Sequence, residues 1–386
     1  MIIKVTKMKI AILSSNISNE AGGYAESSFL LRDRLEKIKN NDVYLFGFWK
    51  SEFLKLNYKL SDRINIFTSG YIDIFPFSVK YFQKLFSIKP EILDIQGIWS
   101  STSILNLIYH YFSKTPYIVT PRGMLEEWAL KQSYFKKKLF YFFVEKFHLK
   151  NATYLRATSD LEALTFEKMG FKKNKILNIP NSIRIPNFNI KLKKKNKKKR
   201  LLFLSRLHPK KGLVELLNAW KKIHSRFPNW ELLICGFDEK NYKKLIKKKI
   251  NDLNLQRVIL KDFVTGVDKE KIYYTSDLFI LLSHSENFGL SIAEALSYKV
   301  PVITSTNTPW KKLNNKNCGW CIKLDSKIIE KTIEKAFLLT RKQRMAMGHK
   351  GREWMIRDFS DTRIGLRMNA IYKKILKKES LKNRKL

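Results

Sequence analysis

Short apolar runs alternate with amphipathic stretches along most of the chain. The first, Met8-Lys9-Ile10-Ala11-Ile12-Leu13-Ser14-Ser15, is apolar at nearly every position and closes on hydroxyl residues. Such a run reads as a strand buried on both faces, ending at a polar sheet edge. After a glycine-containing turn, Glu20-Ala21-Gly22-Gly23-Tyr24-Ala25-Glu26, apolar residues recur at helical spacing over 27–38. The same strand, turn and helix rhythm returns with runs at 42–47, 92–97 and 117–121, and again at 201–205, 230–236, 258–260, 278–282 and 300–304. This alternation predicts an α/β fold in which parallel sheets are covered by helices on both faces.

A single core stops growing at roughly 250 to 300 residues, so 386 residues predict two domains. The break falls where the apolar rhythm stops, at Lys191-Leu192-Lys193-Lys194-Lys195-Asn196-Lys197-Lys198-Lys199-Arg200. We expect a first Rossmann-like domain over 1–190, a basic linker over 191–200 and a second doubly wound domain over 201–360. A C-terminal helix and basic tail, 361–386, would pack back on the first domain. Open sheets of this kind bind ligands beyond the carboxyl ends of their strands, and two of them are expected to face each other across a cleft.

Charge adds a second theme. The formal net charge is +41, and residues 1–190 hold 28 basic and 16 acidic side chains, net +12, which leaves +29 for the remainder. Such clustering attracts polyanions, meaning nucleic acid or anionic lipid surfaces; a Lys-, Ile- and Asn-rich compositional bias with solvated charges explains it equally well. No zinc-ligand spacing, RNP aromatic pair or basic heptad region accompanies the charge, so no nucleic-acid partner is expected. The apolar runs are too short to span a bilayer and the N-terminus lacks a secretory apolar core, which predicts a cytoplasmic protein. The stretch 134–147, Tyr-Phe-Lys-Lys-Lys-Leu-Phe-Tyr-Phe-Phe-Val-Glu-Lys-Phe, fits either an interfacial helix or a core helix with a basic outer face. The first reading would put the protein peripherally on the inner face of the plasma membrane. Cys318 and Cys321 have redox-motif spacing but precede a strand-like run rather than opening a helix, where a thiol pKa would fall.

Candidate chemistry sits in the turns that follow strands. Run 201–205 leads into Arg206-Leu207-His208-Pro209-Lys210-Lys211-Gly212 and then a helix from 213. Arg206 offers a planar fork to phosphate oxygens, Lys211 a compact point charge, and the helix start its amides. Taken alone, this turn reads first as a solvated basic loop. Run 278–282 leads into Ser283-His284-Ser285-Glu286-Asn287-Phe288-Gly289-Leu290, then a helix from about 291. Ser291 and Glu294 have capping-box spacing, which would assign Glu294 to the helix start. Glu286 gains nothing from a cap. A ligand accounts for both carboxylates, since each can accept two hydrogen bonds from a sugar diol. Gly22 and Gly23 form a third such turn, without a complete G-x-G-x-x-G or P-loop pattern.

Taken together, Ser205-Arg206-Leu207 with Lys211-Gly212, the E-x7-E pair Glu286 and Glu294 around Phe288-Gly289-Leu290, and Val300-Pro301-Val302-Ile303 resemble the retaining glycosyltransferases of family four, which have the GT-B fold. Gly22-Gly23, Thr120-Pro121-Arg122-Gly123-Met124-Leu125, Ala157-Thr158-Ser159, Ile179-Pro180-Asn181-Ser182 and Asp358-Phe359-Ser360 follow in the family's order. The resemblance implies transfer of a hexosyl-type sugar from a UDP- or GDP-linked donor to a glycan or lipid-linked glycan, as in surface polysaccharide or lipopolysaccharide assembly. It implies that Arg206 and Lys211 neutralise the diphosphate, Glu286 holds donor sugar hydroxyls, Glu294 holds the ribose, and the amides of Asn287, Phe288, Gly289 and Leu290 serve phosphate and sugar. Gly23 would approach the diphosphate from the first domain. No metal and no cofactor beyond the donor are implied. Many relatives have histidine where this chain has Arg122, which becomes a candidate sugar or acceptor contact. The alternatives are a nucleic-acid-binding protein, suggested by charge alone, and a sugar-nucleotide epimerase or phosphorylase of the same fold.

Overall fold

The computed structural model describes residues 7–18, 23–49, 62–68, 78–188, 198–238 and 241–383. The chain divides into two compact units, one formed by Met1–Ser182 with Asp361–Leu386 and the other by Ile183–Ser360.

In the first unit the described strands are β1 (Met8–Ser14), β2 (Asn41–Trp49), β3 (Ile64–Thr68), β4 (Ile92–Gln96), β5 (Tyr117–Thr120), β6 (Tyr154–Ala157) and β7 (Ile176–Asn178). They form one sheet in the order β3-β2-β1-β4-β5-β6-β7, and every pairing is parallel. Side chains alternate across a strand, so a continuous apolar run feeds two cores at once. Ile10 and Ile12 of β1 join the cluster that holds Phe29, Leu35 and Met368, while Ala11 and Leu13 join the opposite one with Leu105, Tyr109 and Phe166.

The second unit contains β8 (Lys199–Leu204), β9 (Trp230–Cys235), β10 (Val258–Lys261), β11 (Leu278–Leu281), β12 (Val302–Ser305) and β13 (Gly319–Ile322). Their order is β10-β9-β8-β11-β12-β13, again all parallel. In both sheets the order reverses beside the unit's first strand: between β1 and β4 in one, between β8 and β11 in the other. In open sheets of this kind ligands bind beyond the carboxyl ends of the strands, at such a reversal.

Two boundaries differ from those expected. The second unit begins at Ile183 rather than near 201, because the Ile183 amide donates to Phe359 O at 2.9 Å and Ile183 bridges Ser360. Lys199 and Arg200 are already in β8, where Arg200 pairs with Glu231 at 2.6 Å. Residues 191–197 of the lysine-rich segment lie outside the described residues. The helix Asp361–Asn383 belongs to the first unit. There Ile364, Met368, Tyr372 and Ile375 are buried in the core, and a Cβ on Gly365 would stand 2.4 Å from Arg34 Cγ. No described helix is long and apolar enough to cross a membrane.

Candidate functional site

At the reversal point of the second sheet, β8 and β11 are hydrogen-bonded neighbours, and the loops that leave them are pressed together. The first loop runs through Arg206 into a single 3-10 turn, Pro209–Lys211, closed by the His208 ring, which accepts from the Lys210 amide at 3.0 Å. Gly212 then starts the helix Leu213–Ile223 with φ +69°. A Cβ at Gly212 would lie 2.0 Å from Leu282 O, so only glycine permits this approach of the two loops. The His284 amide donates to Lys210 O at 2.8 Å and completes the seam.

This seam carries the chemistry. The Lys211 ammonium donates to Glu286 Oε2 at 2.5 Å, with both side chains about nine-tenths withdrawn from solvent. Ser283 Oγ donates to the same oxygen at 3.3 Å. Burial alone would raise the Glu286 pKa; Lys211 opposes it by charge and hydrogen bond, Lys210 and Arg206 add to this, and the carboxyl ends below its ordinary range. Arg206 itself is exposed. Arg206, Lys211 and Glu286, expected to act together, are therefore brought together, and Lys210 joins them. Three cations around one carboxylate leave the seam formally positive, which suits an anion. Next to it His284 Nε2 meets Glu215 Oε1 at 2.7 Å.

Asn287, Phe288, Gly289 and Leu290 carry the chain from Glu286 into the helix Leu290–Ser297. Gly289 is the N-cap with φ +76°, and a Cβ there would stand 3.1 Å from Glu286 Cγ and 3.2 Å from Trp310 Nε1. Phe288 points down rather than out. Its ring packs on Trp310 and Phe359 at centroid distances of 5.5 and 6.0 Å, and Trp310 Nε1 donates to its carbonyl. An aromatic floor thus sets the height of the loop beneath Glu286.

The expected capping box does not form. The helix starts one residue early, at Leu290, so Ser291 is its second residue and no side chain caps it. Glu294 is instead held sideways, accepting from Tyr273 OH at 2.7 Å and pairing with Lys269. The local explanation of Glu294 falls away. The uncapped first turn also leaves its leading amides directed at whatever lies before the helix.

In the first unit, Gly23 opens the helix Gly23–Glu36, while Gly22 lies outside the described residues. The Tyr24 hydroxyl ties the two sides of this sheet's own reversal point, contacting Ser15 Oγ at 3.0 Å and donating to Gln96 O at the end of β4. Arg122 follows β5 with φ +58°. Its guanidinium donates to Gln96 Oε1 at 2.5 and 2.9 Å, to Asn181 Oδ1 at 3.2 Å and to Ser27 Oγ, and lies 5.3 Å from the Tyr24 ring. Burial, and after it the nearby Arg156, pull its pKa down to about 10. A Cβ-bearing residue at φ > 0 is held there only by its surroundings, and this network supplies them.

The network is the part that sequence reasoning missed. Asp94 and Gln96 of β4, Arg156 of β6 and Glu162 in the first turn of the helix Asp160–Lys168 are all buried. Arg156 donates to Ile179 O at 3.0 Å and Pro180 O at 2.7 Å; Glu162 accepts from the Gly123 and Thr158 amides at 2.6 and 2.7 Å. A signal existed: polar residues inside the apolar runs Ile-Leu-Asp-Ile-Gln and Tyr-Leu-Arg-Ala are costly unless paired. The Cys318 and Cys321 thiols are both free and buried, and burial pushes the Cys318 pKa up to about 12.

The family model for glycosyl transferases group 1 matches residues 185–354, close to the whole second unit. Among curated proteins, an uncharacterized glycosyltransferase of Haemophilus influenzae is 29% identical over 147 residues, covering 37% of this chain and 39% of that protein. The capsular polysaccharide biosynthesis glycosyltransferase CapM of Staphylococcus aureus is 29% identical over 184 residues, covering 45% of this chain and 46% of its own. The chain thus spans less than half the length of these curated relatives. Among solved structures, Anabaena Alr3699/HepE in complex with UDP and glucose superposes with a TM-score of 0.76 at 16% identity, over 95% of this chain and all of that one. At that identity the likeness is one of fold. The second unit thus matches the glycosyl transferases group 1 in sequence over residues 185–354, and the chain has the GT-B fold.

Proposed function

We propose that the protein is a retaining, metal-independent glycosyltransferase that moves a hexosyl-type sugar from a UDP- or GDP-linked donor to a glycan or lipid-linked glycan in surface polysaccharide or lipopolysaccharide assembly. The observation that carries this reading is the seam at the second sheet's reversal point, where Arg206, Lys210 and Lys211 surround Glu286 beside the uncapped helix start. The polysaccharide setting rests on the relative CapM, and the uridine donor on the ligand named for HepE.

In the reaction the bond between the sugar's anomeric carbon and the diphosphate oxygen breaks, and its electron pair stays on the phosphate. Arg206 and Lys211 meet that growing charge, and such donors help to the extent that they bind it better in the transition state than before. The acceptor hydroxyl attacks on the same face and passes its proton to the departing phosphate, which keeps the anomeric configuration. Glu286, held ionised by Lys211, accepts hydrogen bonds from donor sugar hydroxyls. Glu294, fixed by Tyr273 and Lys269, does the same for the ribose. For the first unit we propose donor contact through Gly22 and Gly23 and sugar or acceptor contact through Arg122.

A thermal-stabilisation screen with UDP, GDP, ADP and their sugars tests the donor, because a ligand that binds only the folded protein raises Tm. We expect UDP or GDP to raise it, in EDTA as well. Transfer of radiolabelled sugar should be abolished by Glu286→Ala without loss of folding, and the product linkage should be α from an α-linked donor. No stabilisation by any nucleotide, together with tight salt-sensitive oligonucleotide binding, would overturn the reading. Turnover of the sugar nucleotide to an epimer or sugar phosphate would move it to the same-fold alternatives.

A further inference from the structure

The connection from β5 to β6 is a chain of short helical pieces: Glu127–Lys131, Tyr134–Phe140, a wide π turn over Tyr141–Glu145, and Lys146–Asn151. Its inner side is well anchored. Tyr141 packs on the core, and Glu145, His148 and Leu149 are fully buried. Glu145 accepts from the Trp99 amide at 2.9 Å and meets His148 Nδ1 at 3.0 Å, and Tyr117 OH donates to His148 O at 2.7 Å.

The outer side carries Tyr134, Phe135, Leu139, Phe142, Phe143 and Phe147, each between 52% and 84% exposed. From 135 onward these fall at 135, 139, 142, 143 and 147, three or four residues apart except for the adjacent pair 142 and 143, close to the spacing of one helix face. Single exposed apolar side chains are ordinary, but five on one anchored face are not. Lysines are interleaved with them. Residues 128–151 contain six lysines and one acidic residue, the buried Glu145. Lys138 and Lys146 lie 5.9 Å from the Tyr134 and Phe142 rings. The expectation of a core helix with a merely basic outer face is half right: the inner face is core, and the outer one is aromatic as well as basic.

We propose that this face is a docking surface for an anionic lipid bilayer, with the aromatic rings entering the headgroup region and the lysines meeting lipid phosphates. Three observations favour lipid over other occupants. The composition of residues 134–151, Phe and Leu interleaved with Lys and without exposed acid, is that of an interfacial segment. Protein interfaces are depleted in lysine at their centres, where this face has it throughout. Single-stranded nucleic acid needs open ring faces for stacking, whereas Phe142 and Phe143 stand edge to face at 89°, and Tyr134 and Phe135 at 76°. The surface belongs to the first unit and the Lys211–Glu286 seam to the second, and they share no residue, so the proposal stands or falls apart from the glycosyl-transfer reading.

Co-sedimentation of the full chain with vesicles of phosphatidylglycerol and phosphatidylcholine tests it. At about 0.1 M salt the protein should pellet with the mixed vesicles and stay in solution with pure phosphatidylcholine. The variant F135S/F142S/F143S keeps every charge, and its partition should fall by roughly tenfold or more with Tm unchanged. Should that variant misfold, quenching of the wild-type tryptophan fluorescence by brominated phosphatidylglycerol, reduced in Trp128→Phe, gives the same answer. Wild-type protein that stays in the supernatant overturns the proposal. So does a triple variant that binds as tightly as wild type, because the charge alone would then account for binding. Dimer formation without vesicles, or oligonucleotide binding, that the triple variant abolishes would reassign the face.

Discussion

Lys211 Nζ and Glu286 Oε2 lie 2.5 Å apart and join the loops that leave β8 and β11, the two strands between which the second sheet reverses its order. Seventy-five residues separate them in sequence. Neither group is set by its own helix or turn alone, and Lys211 holds Glu286 ionised.

Removing Lys211 should change the protonation of Glu286. Burial is the largest influence on that carboxyl and raises its pKa; Lys211 is the largest influence lowering it. In wild type the lowered value adds stability above the ordinary carboxylate range, and this is lost as pH falls through the folded-state value. In Lys211→Met the burial effect dominates, so Glu286 titrates higher and the acid limb of kcat/KM moves to higher pH. Turnover at neutral pH should fall about 10²- to 10³-fold, the loss typical of one transition-state charge contact. An unchanged acid limb would separate Glu286 from Lys211.

Arg206→Ala tests the exposed member of the cluster. It should lower kcat by a similar 10²- to 10³-fold. Stability should change by less than about 0.5 kcal/mol, as for most exposed side chains. Denaturation midpoints and steady-state kinetics on one preparation distinguish the two effects.

Gly212→Ala should be among the costliest single-carbon additions in the second unit. The new Cβ would meet the Leu282 carbonyl at 2.0 Å from a backbone at φ +69°. Left-handed strain of about 1–2 kcal/mol and overpacking of about 1–3 kcal/mol add to a loss of roughly 2–5 kcal/mol. Nucleotide stabilisation should disappear with it, because Lys211 is the preceding residue. Gly170→Ala is the comparison: φ is +89° there, but no atom lies within 4 Å of the new Cβ, so only the strain term applies.

Tyr273→Phe removes one hydroxyl from Glu294 and leaves Lys269 in place. If Glu294 binds the donor ribose, the variant should weaken nucleotide binding by about 1 kcal/mol, roughly fivefold, with kcat nearly unchanged. Isothermal titration with the preferred nucleoside diphosphate measures it. An equal loss in kcat would place Glu294 in the chemical step instead.

Tyr372→Phe probes the hold of the last helix on the first unit. The Tyr372 hydroxyl donates to the fully buried Asp94, whose pKa is raised by burial and held back by Arg156 and by this bond. Loss of one partner of a buried carboxylate should cost about 1–3 kcal/mol, read from urea unfolding of the full chain.

Much of this was legible in the chain itself. Runs such as Met8–Ser14 and Leu278–Leu281 could bury only on both faces, so parallel sheets followed from apolar pattern alone. Arg206, Lys211 and Glu286 stood out because each occupies a turn directly after such a run. Glu294 was harder: its spacing from Ser291 imitates a cap, and only the helix start at Leu290 and the hydroxyl of Tyr273 reveal a different role. The Arg122 network was invisible as a network, although the polar residues within β4 and β6 marked its members.

Local pattern determined where strands, turns and helices lie, since burial periodicity and glycine conformation act over a few residues. Tertiary structure decided the partners. The pairing of Lys211 with Glu286, of Tyr273 with Glu294 and of Tyr372 with Asp94 spans 75, 21 and 278 positions. Such contacts depend on strand order, and strand order is a property of how the two sheets are wound, which no short stretch of sequence contains.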